Sequence, residues 1–206
     1  MIHYQENRIL HPERKSFKKP DGWPPIELLR EASTVEEVLS KIFTYNWGDA
    51  ISHQIHFADK NGDAVVIYPG KDGELTYTRK PKGDSYLVSS NFNLGRVNDG
   101  NFITHWFRIG WDRYKTADQM LSKIGAENNL TIEYLASILN ATSQNNWFAE
   151  TIHSTIYDLQ NLRIYLYTER QFGSPYVLDV ADELAKTDGY RKIPLIELIH
   201  NKDLKN

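Results

Sequence analysis

Residues 51–90 read ISHQIHFADKNGDAVVIYPGKDGELTYTRKPKGDSYLVSS, and this stretch decides the fold. Its first apolar run, Ile51 to Ala58, puts Ile51, His53, Ile55 and Phe57 on one face and smaller or polar residues on the other. Asp59-Lys60-Asn61-Gly62 follows as a turn, because Asn-Gly tolerates the positive φ that a tight hairpin demands. Three further runs, Ala64 to Tyr68, Leu75 to Arg79 and Tyr86 to Ser90, are divided by Pro69-Gly70 with Asp72-Gly73 and by Pro81 to Asp84. The intervals are too short for helices, so the pattern predicts an antiparallel meander of four strands.

On the N-terminal side, Val35, Val38, Leu39, Ile42 and Phe43 recur with helical spacing, and Ser33 with Glu36 forms a capping box. The expectation is a helix over about 34–44. Residues 1–27 show no period, carry Arg14, Lys15, Lys18 and Lys19, and end in Pro24-Pro25. They read as an extended arm preceding a domain over 28–206. On the C-terminal side, 91–112 is Asn- and Gly-rich around Trp106 and Trp111, the composition of a long ordered loop where ligands meet a scaffold. Thr116 with Gln119 opens a helix carrying Ala117, Met120, Leu121 and Ile124, with Gly125 as its stop. Thr131 opens another through Ile132, Leu135, Ala136 and Leu139. Ile152 to Asp158 and Leu162 to Thr168 flank Leu159-Gln160-Asn161 as a second hairpin, and Asp179 caps a short helix to Lys186. Strands are sequential neighbours and helices are segregated from them, which is an α+β pattern with antiparallel sheets.

The chain has 206 residues, 40% hydrophobic and 12% aromatic, enough to bury a core and too much for disorder. Its 24 Lys and Arg against 27 Asp and Glu leave a net charge of −3, without a basic cluster for phosphate contacts. No nucleic-acid partner is expected. No run approaches the roughly 18 apolar residues of a membrane span, and Met1 to Leu10 is too polar for a signal peptide, so no membrane partner and a cytoplasmic location are expected. The absence of cysteine removes disulfides, thiolate metal sites and a cysteine nucleophile within the chain.

His53, His56 and Asp59 invite a metal reading, but a spacing of three on a strand sends side chains to opposite faces, so no metal is expected. His105, in the tryptophan-bearing loop, and His153, in a strand, each stand alone and read as packed or solvent-facing residues. No G-x-S-x-G elbow is present; Ser89-Ser90-Asn91 is the nearest group of reactive polar side chains, and its plain reading is a strand ending in turn formers. Tyr157, Tyr165 and Tyr167 fall at strand spacing and read as core or sheet surface.

Five segments in order over 26–184 resemble the linear amide C–N hydrolases of the N-terminal-nucleophile superfamily, the group of choloylglycine hydrolase, penicillin V acylase and acyl-coenzyme A:6-aminopenicillanic acid acyltransferase. They are Ser33-Thr-Val-Glu-Glu-Val-Leu39; His56-Phe-Ala-Asp59 with Gly62-Asp-Ala-Val-Val-Ile67; Leu87-Val-Ser-Ser-Asn-Phe-Asn93, similar to the family's "v-T-N" strand end; Arg113-Tyr114 with Ala117, Met120 and Leu121; and Thr151-Ile-His-Ser-Thr-Ile-Tyr-Asp-Leu-Gln-Asn161 with Ile164-Tyr-Leu-Tyr167. The resemblance implies an αββα sandwich of two antiparallel sheets between helical layers, and hydrolysis or transfer of an acyl group from a small-molecule, non-peptide amide without a cofactor. It implies that Asn91, by motif position, helps to hold the oxyanion.

In that family an N-terminal Cys attacks the carbonyl, well over a hundred residues before the "v-T-N" strand. Here there is no Cys, too little chain precedes Ser33 to hold that segment, and Met1 is followed by Ile2. The expectation is therefore an incomplete sandwich, its nucleophile supplied by a missing segment or a Cys-bearing partner chain; the alternative is a silent relative acting as a binding or assembly module. An exposed sheet edge in such a half-fold favours a partner or self-association. The arm over 1–27 is a candidate cover for that edge.

Overall fold

A computed structural model describes residues 7–8, 23–45, 47, 53–70, 75–94, 105–124, 130–147, 149–186, 189, 194–195 and 197. The chain divides into two units, Met1–Lys115 and Thr116–Asn206. Helices and antiparallel sheets occur in both, so the α+β class holds.

The first unit is built on a sheet of order β1-β4-β3-β2, all antiparallel: β1 (Asn7–Arg8), β2 (Ile55–Ala58), β3 (Ala64–Pro69) and β4 (Leu75–Arg79). The β2–β3 turn forms as the sequence predicts. Gly62 takes φ +80°, and the Asp59 carboxylate accepts from the Asn61 and Asp63 N–H groups at 2.8 and 3.2 Å. The other Asp59 oxygen accepts from Val35 N–H at 2.9 Å, so one side chain closes the turn and caps a helix. That helix, α2 (Val35–Lys41), runs into a 3-10 turn over Ile42–Thr44, in agreement with the expected 34–44. Its cap lies one residue later than the capping box proposed. Thr34 Oγ1 accepts from Glu37 N–H, and Glu37 in turn accepts from the Ser33 N–H.

Three expectations fail here. Pro24-Pro25 does not end an extended arm but starts α1 (Pro24–Glu31), because a proline at the first helical position gives up an N–H that has no intrahelical partner anyway. Tyr86–Ser90 is not a strand. The backbone there is held by a side chain instead of a ladder: Gln54 Nε2 donates to Ser90 O at 2.7 Å, and Gln54 Oε1 accepts from Leu94 N–H at 3.2 Å. The place of a fourth strand is taken by β1, whose Asn7 and Arg8 pair with Tyr77 and Thr76. The edge of β4 is thus covered by a piece of the N-terminal stretch. Of the strand expected over 51–58, only 55–58 forms; 51–52 lie outside the described residues.

Leu28, Val35, Val38, Leu39 and Ile42 from the helical segments pack with Phe57, Val65, Ile67 and Leu75 from one face of the sheet. On the opposite face Ala64, Val66, Tyr68, Thr76 and Thr78 of β3 and β4 are equally closed to solvent, while His56 and Ala58 of β2 are exposed. Thr78 is accommodated there because its Oγ1 lies 2.9 Å from the Tyr68 hydroxyl. Arg79, at the end of β4, bonds Asp63 at 2.6 Å and Glu36 at 2.7 Å, tying β3, β4 and α2 together.

The helix α3 (His105–Leu121) replaces the second half of the loop expected over 91–112, and starts eleven residues before the predicted Thr116. Gly110 and a cluster of aromatic residues weaken the helical pattern in the sequence; close packing restores the helix, as described below.

The second unit packs α4 (Ile132–Thr142), capped by Thr131 Oγ1 as predicted, onto a sheet of order β7-β8-β9. The predicted hairpin is β7 (His153–Asp158) and β8 (Arg163–Thr168); its turn is closed by Asp158, which accepts from the Asn161 N–H and Nδ2 at 3.0 and 2.7 Å. A third strand, β9 (Tyr176–Asp179), and a small hairpin of β5 (Asn145–Asn146) and β6 (Ala149–Glu150) were not legible in the sequence. Asp179 caps α5 (Val180–Ala185) as expected. Ala136, Ile156 and Tyr167 form the core, with Ile132, Leu135, Leu139, Tyr165 and Phe172 against it.

Candidate functional site

The Asn-containing segment that follows the meander lines an open cleft of about 500 Å³ together with the two residues before β2 and the end of β3. Its walls are His53, Gln54, Pro69 and Ser89 to Asn93, none of them an acid or a strong base. Three devices fix the segment. Gln54 bonds its backbone at Ser90 and Leu94. Asn93 Nδ2 donates to Pro69 O at the end of β3 at 2.5 Å. Buried Phe92 inserts edge-on against Trp111 and Tyr114, which are stacked on each other one turn apart on α3.

Close approach of α3 explains the glycine in its interior. A Cβ at Gly110 would lie 2.9 Å from Asn91 Oδ1 and 3.3 Å from the Asn91 backbone carbon, so only glycine lets the helix seat against the segment without a shift. The helix thereby sets the Asn91 side chain.

Asn91 is held by its oxygen. Oδ1 accepts from Ser90 Oγ at 3.2 Å and from Arg113 Nη1 at a long 3.4 Å. Burial lowers the Arg113 pKa from its ordinary value, but a guanidinium remains a cation at neutral pH. With its oxygen engaged, the amide leaves Nδ2, with two N–H groups, without a partner among the described residues, on an exposed side chain lining the cleft. A cation on the oxygen also polarises the amide and strengthens those donors.

Ser89 lies two residues earlier, half-buried, and its Oγ is 3.1 Å from His56 Nδ1 on β2. His56 retains accessible surface, yet the protein around it removes enough water to hold its pKa below the ordinary imidazole value. It is neutral at pH 7.

The sequence reading singled out Ser89, Ser90 and Asn91; all three line the cleft, and the structure brings His56 to Ser89. His53, His56 and Asp59 are not assembled around one point. The His53 ring packs edge-on to Trp23 at 6.1 Å, His56 faces Ser89, and Asp59 is committed to backbone N–H groups. Among the described residues no group of three His, Cys, Asp or Glu could hold a metal ion. His153 is exposed on β7, and the side chain of His105, the first residue of α3, lies outside the described residues. The reading missed Gln54, Gly110 and Arg113 as parts of this site; Arg113 appeared only within a motif, and nothing in a spacing rule connects 54 or 110 to 91. Among the described residues no helix is long and apolar enough to cross a membrane.

No protein-family model, no curated protein and no solved structure matches this chain.

Proposed function

We propose that the chain is the carbonyl-binding part of an amidohydrolase or acyltransferase acting on linear, non-peptide C–N bonds of a small molecule, completed by a Cys-bearing segment or partner chain. The observation that carries this reading is the Asn91 amide, engaged through its oxygen on an exposed side chain that lines the cleft. Such a donor, fixed before the reaction, stabilises the negative charge that develops on a carbonyl oxygen under attack. Arg113 and Gly110 are positioning residues in this scheme: one holds the amide oxygen, the other leaves the space the amide occupies. The first unit's sheet, with helices on one face and burial on the other, is of the kind a middle layer of an αββα sandwich requires. Resemblance of the five motifs to the linear amide hydrolases supplies the reaction class.

The test is intact and native mass of the protein from its source organism, followed by an amidase assay with an N-acyl amino acid and penicillin V panel. A longer chain or a Cys-first partner, with turnover falling about 10²–10³-fold in Asn91→Ala, is the expected result. A mass of 206 residues with no partner and no turnover would overturn the amidase reading. The absence of cysteine favours the second reading, a silent binding or assembly module of the same fold, in which case a small amide binds the cleft unchanged.

A further inference from the structure

The amidase reading assigns the attacking group to another segment, but the cleft contains a hydroxyl with a base already in place. Ser89 Oγ and His56 Nδ1 are 3.1 Å apart, within the distance at which a base takes a nucleophile's proton. Ser89 lines the cleft, and His56, on β2, is not among the lining residues but reaches the Ser89 hydroxyl. Asn91, two residues on, lines the same cleft with its oxygen engaged and its Nδ2 unpaired among the described residues. His56 makes its single hydrogen bond among the described residues to Ser89, so the ring is not committed elsewhere. In the tautomer with the proton on Nε2, Nδ1 accepts the Ser89 hydroxyl. Nucleophile, base and carbonyl-oxygen donor are thus contributed by one chain.

We infer that Ser89 is an acyl-accepting nucleophile with His56 as its general base, and that this chain takes acyl groups from small uncharged carboxylic esters. In the first step the Ser89 Oγ bonds to the ester carbonyl carbon while its proton passes to His56 Nδ1. The carbonyl π pair moves onto oxygen, beside the Asn91 amide. Collapse of the adduct re-forms the carbonyl and breaks the bond to the alkoxy oxygen, which leaves as an alcohol with the proton from the imidazolium. Water then repeats the sequence at acyl-Ser89, releasing the carboxylic acid and restoring the hydroxyl. Esters are the substrate class because the described residues of the walls include no acid or strong base to pair with a charged substrate. Nor does a third group among the described residues orient His56, which suits a good leaving group better than an amine. The inference shares with the amidase reading only the role of Asn91.

The experiment treats the full 206-residue chain with p-nitrophenyl acetate and p-nitrophenyl butyrate, follows p-nitrophenol release, and maps the acylated residue by peptide mass after an acid quench. A single acyl group on Ser89 is expected, absent in Ser89→Ala, with formation slowed about a hundredfold in both His56→Gln and Asn91→Ala. Acylation confined to lysines, or unchanged in Ser89→Ala, would overturn the inference. Mapping on the unsubstituted chain decides the point even if a variant fails to fold, and urea midpoints identify such a variant. The two readings separate cleanly. Ser89 acylation indifferent to Asn91→Ala would keep the nucleophile and remove the oxyanion role. An unlabelled Ser89 in a chain whose source-derived complex loses amide turnover on Asn91→Ala would sink this inference alone.

Discussion

The four-stranded sheet of the first unit and the three-stranded sheet of the second are both antiparallel and meet different fates. In the first unit β3 is buried from Ala64 to Tyr68 without interruption, and Thr76 and Thr78 of β4 are as closed to solvent as Leu75. In the second unit the face bearing Ile156, Tyr165 and Tyr167 meets α4, while the face bearing Tyr157, Ile164, Leu166 and Leu178 is half-buried or exposed, with Tyr157 64% accessible. A continuous apolar run such as Ala-Val-Val-Ile-Tyr signals a strand covered on both sides, and an alternating one such as His-Ser-Thr-Ile-Tyr-Asp a strand covered on one. The candidate cleft borders the doubly covered sheet at Pro69, where rigidity can hold polar groups in place.

The largest expected effect tests that contrast directly. Ile67→Ala, at a fully buried β3 position, should lower unfolding free energy by about 2–5 kcal/mol, whereas Ile164→Ala on the open face of β8 should cost about 1 kcal/mol, both read from urea denaturation. Equal losses would show that the open face of the second sheet is covered in solution.

The turns sharpen the comparison next. Asp59→Ala removes the acceptor for three backbone N–H groups, one of them at the start of α2, and should cost about 2–3 kcal/mol. Asp158→Ala in the corresponding turn of the second unit breaks bonds that solvent can replace and should cost clearly less. Thermal melts of the two variants order the effects.

Gly110→Ala sets two terms against each other. Alanine favours a helix interior by up to about 1 kcal/mol, but its Cβ meets Asn91 Oδ1 at 2.9 Å. The expected outcome is a small net loss of stability, about 1–2 kcal/mol, with acylation of Ser89 slowed about tenfold because the Asn91 amide is pushed off its position. An unchanged acylation rate would remove α3 from the site.

Acid should weaken the first unit through two groups. At Asp63, burial works to raise the carboxyl pKa, but hydrogen bonds from Arg79 and the Ala64 N–H and the Arg79 charge outweigh it, so the folded value lies below 3.8. That stabilisation is complete above the unfolded pKa and is lost as pH falls through the folded value. His56 is depressed by burial, so the unfolded state takes up its proton first and stability declines as pH falls below about 6.5. Urea midpoints between pH 7 and 3 should fall in two stages, with His56→Gln removing the upper one and Asp63→Asn flattening the lower.

The smallest effect is in the second unit. Leu162 ends the β7–β8 turn at φ +53° with its side chain largely exposed, so Leu162→Gly relieves a left-handed conformation at little packing cost and should stabilise by about 1 kcal/mol or less.

Local chemistry made much of the fold legible. The Asn61-Gly62 turn, the apolar runs at 64–68 and 75–79, the Thr131 and Asp179 caps and the 153–168 hairpin all form where spacing and turn residues place them. What failed had a tertiary cause. Tyr86–Ser90 has strand composition but gives its backbone to Gln54, and 105–115 has loop composition but becomes helix because Gly110 and Trp111 dock on Asn91 and Phe92. Of the site, the sequence by itself singled out the Ser-Ser-Asn group, though as the end of a strand that does not form, and showed that the chain carries no thiol. Only the tertiary structure brought His56 to Ser89 and Arg113 to Asn91. Those pairs are 33 and 22 residues apart, a separation that no local periodicity encodes and that the packing of β2 and α3 onto one segment brings within hydrogen-bonding distance.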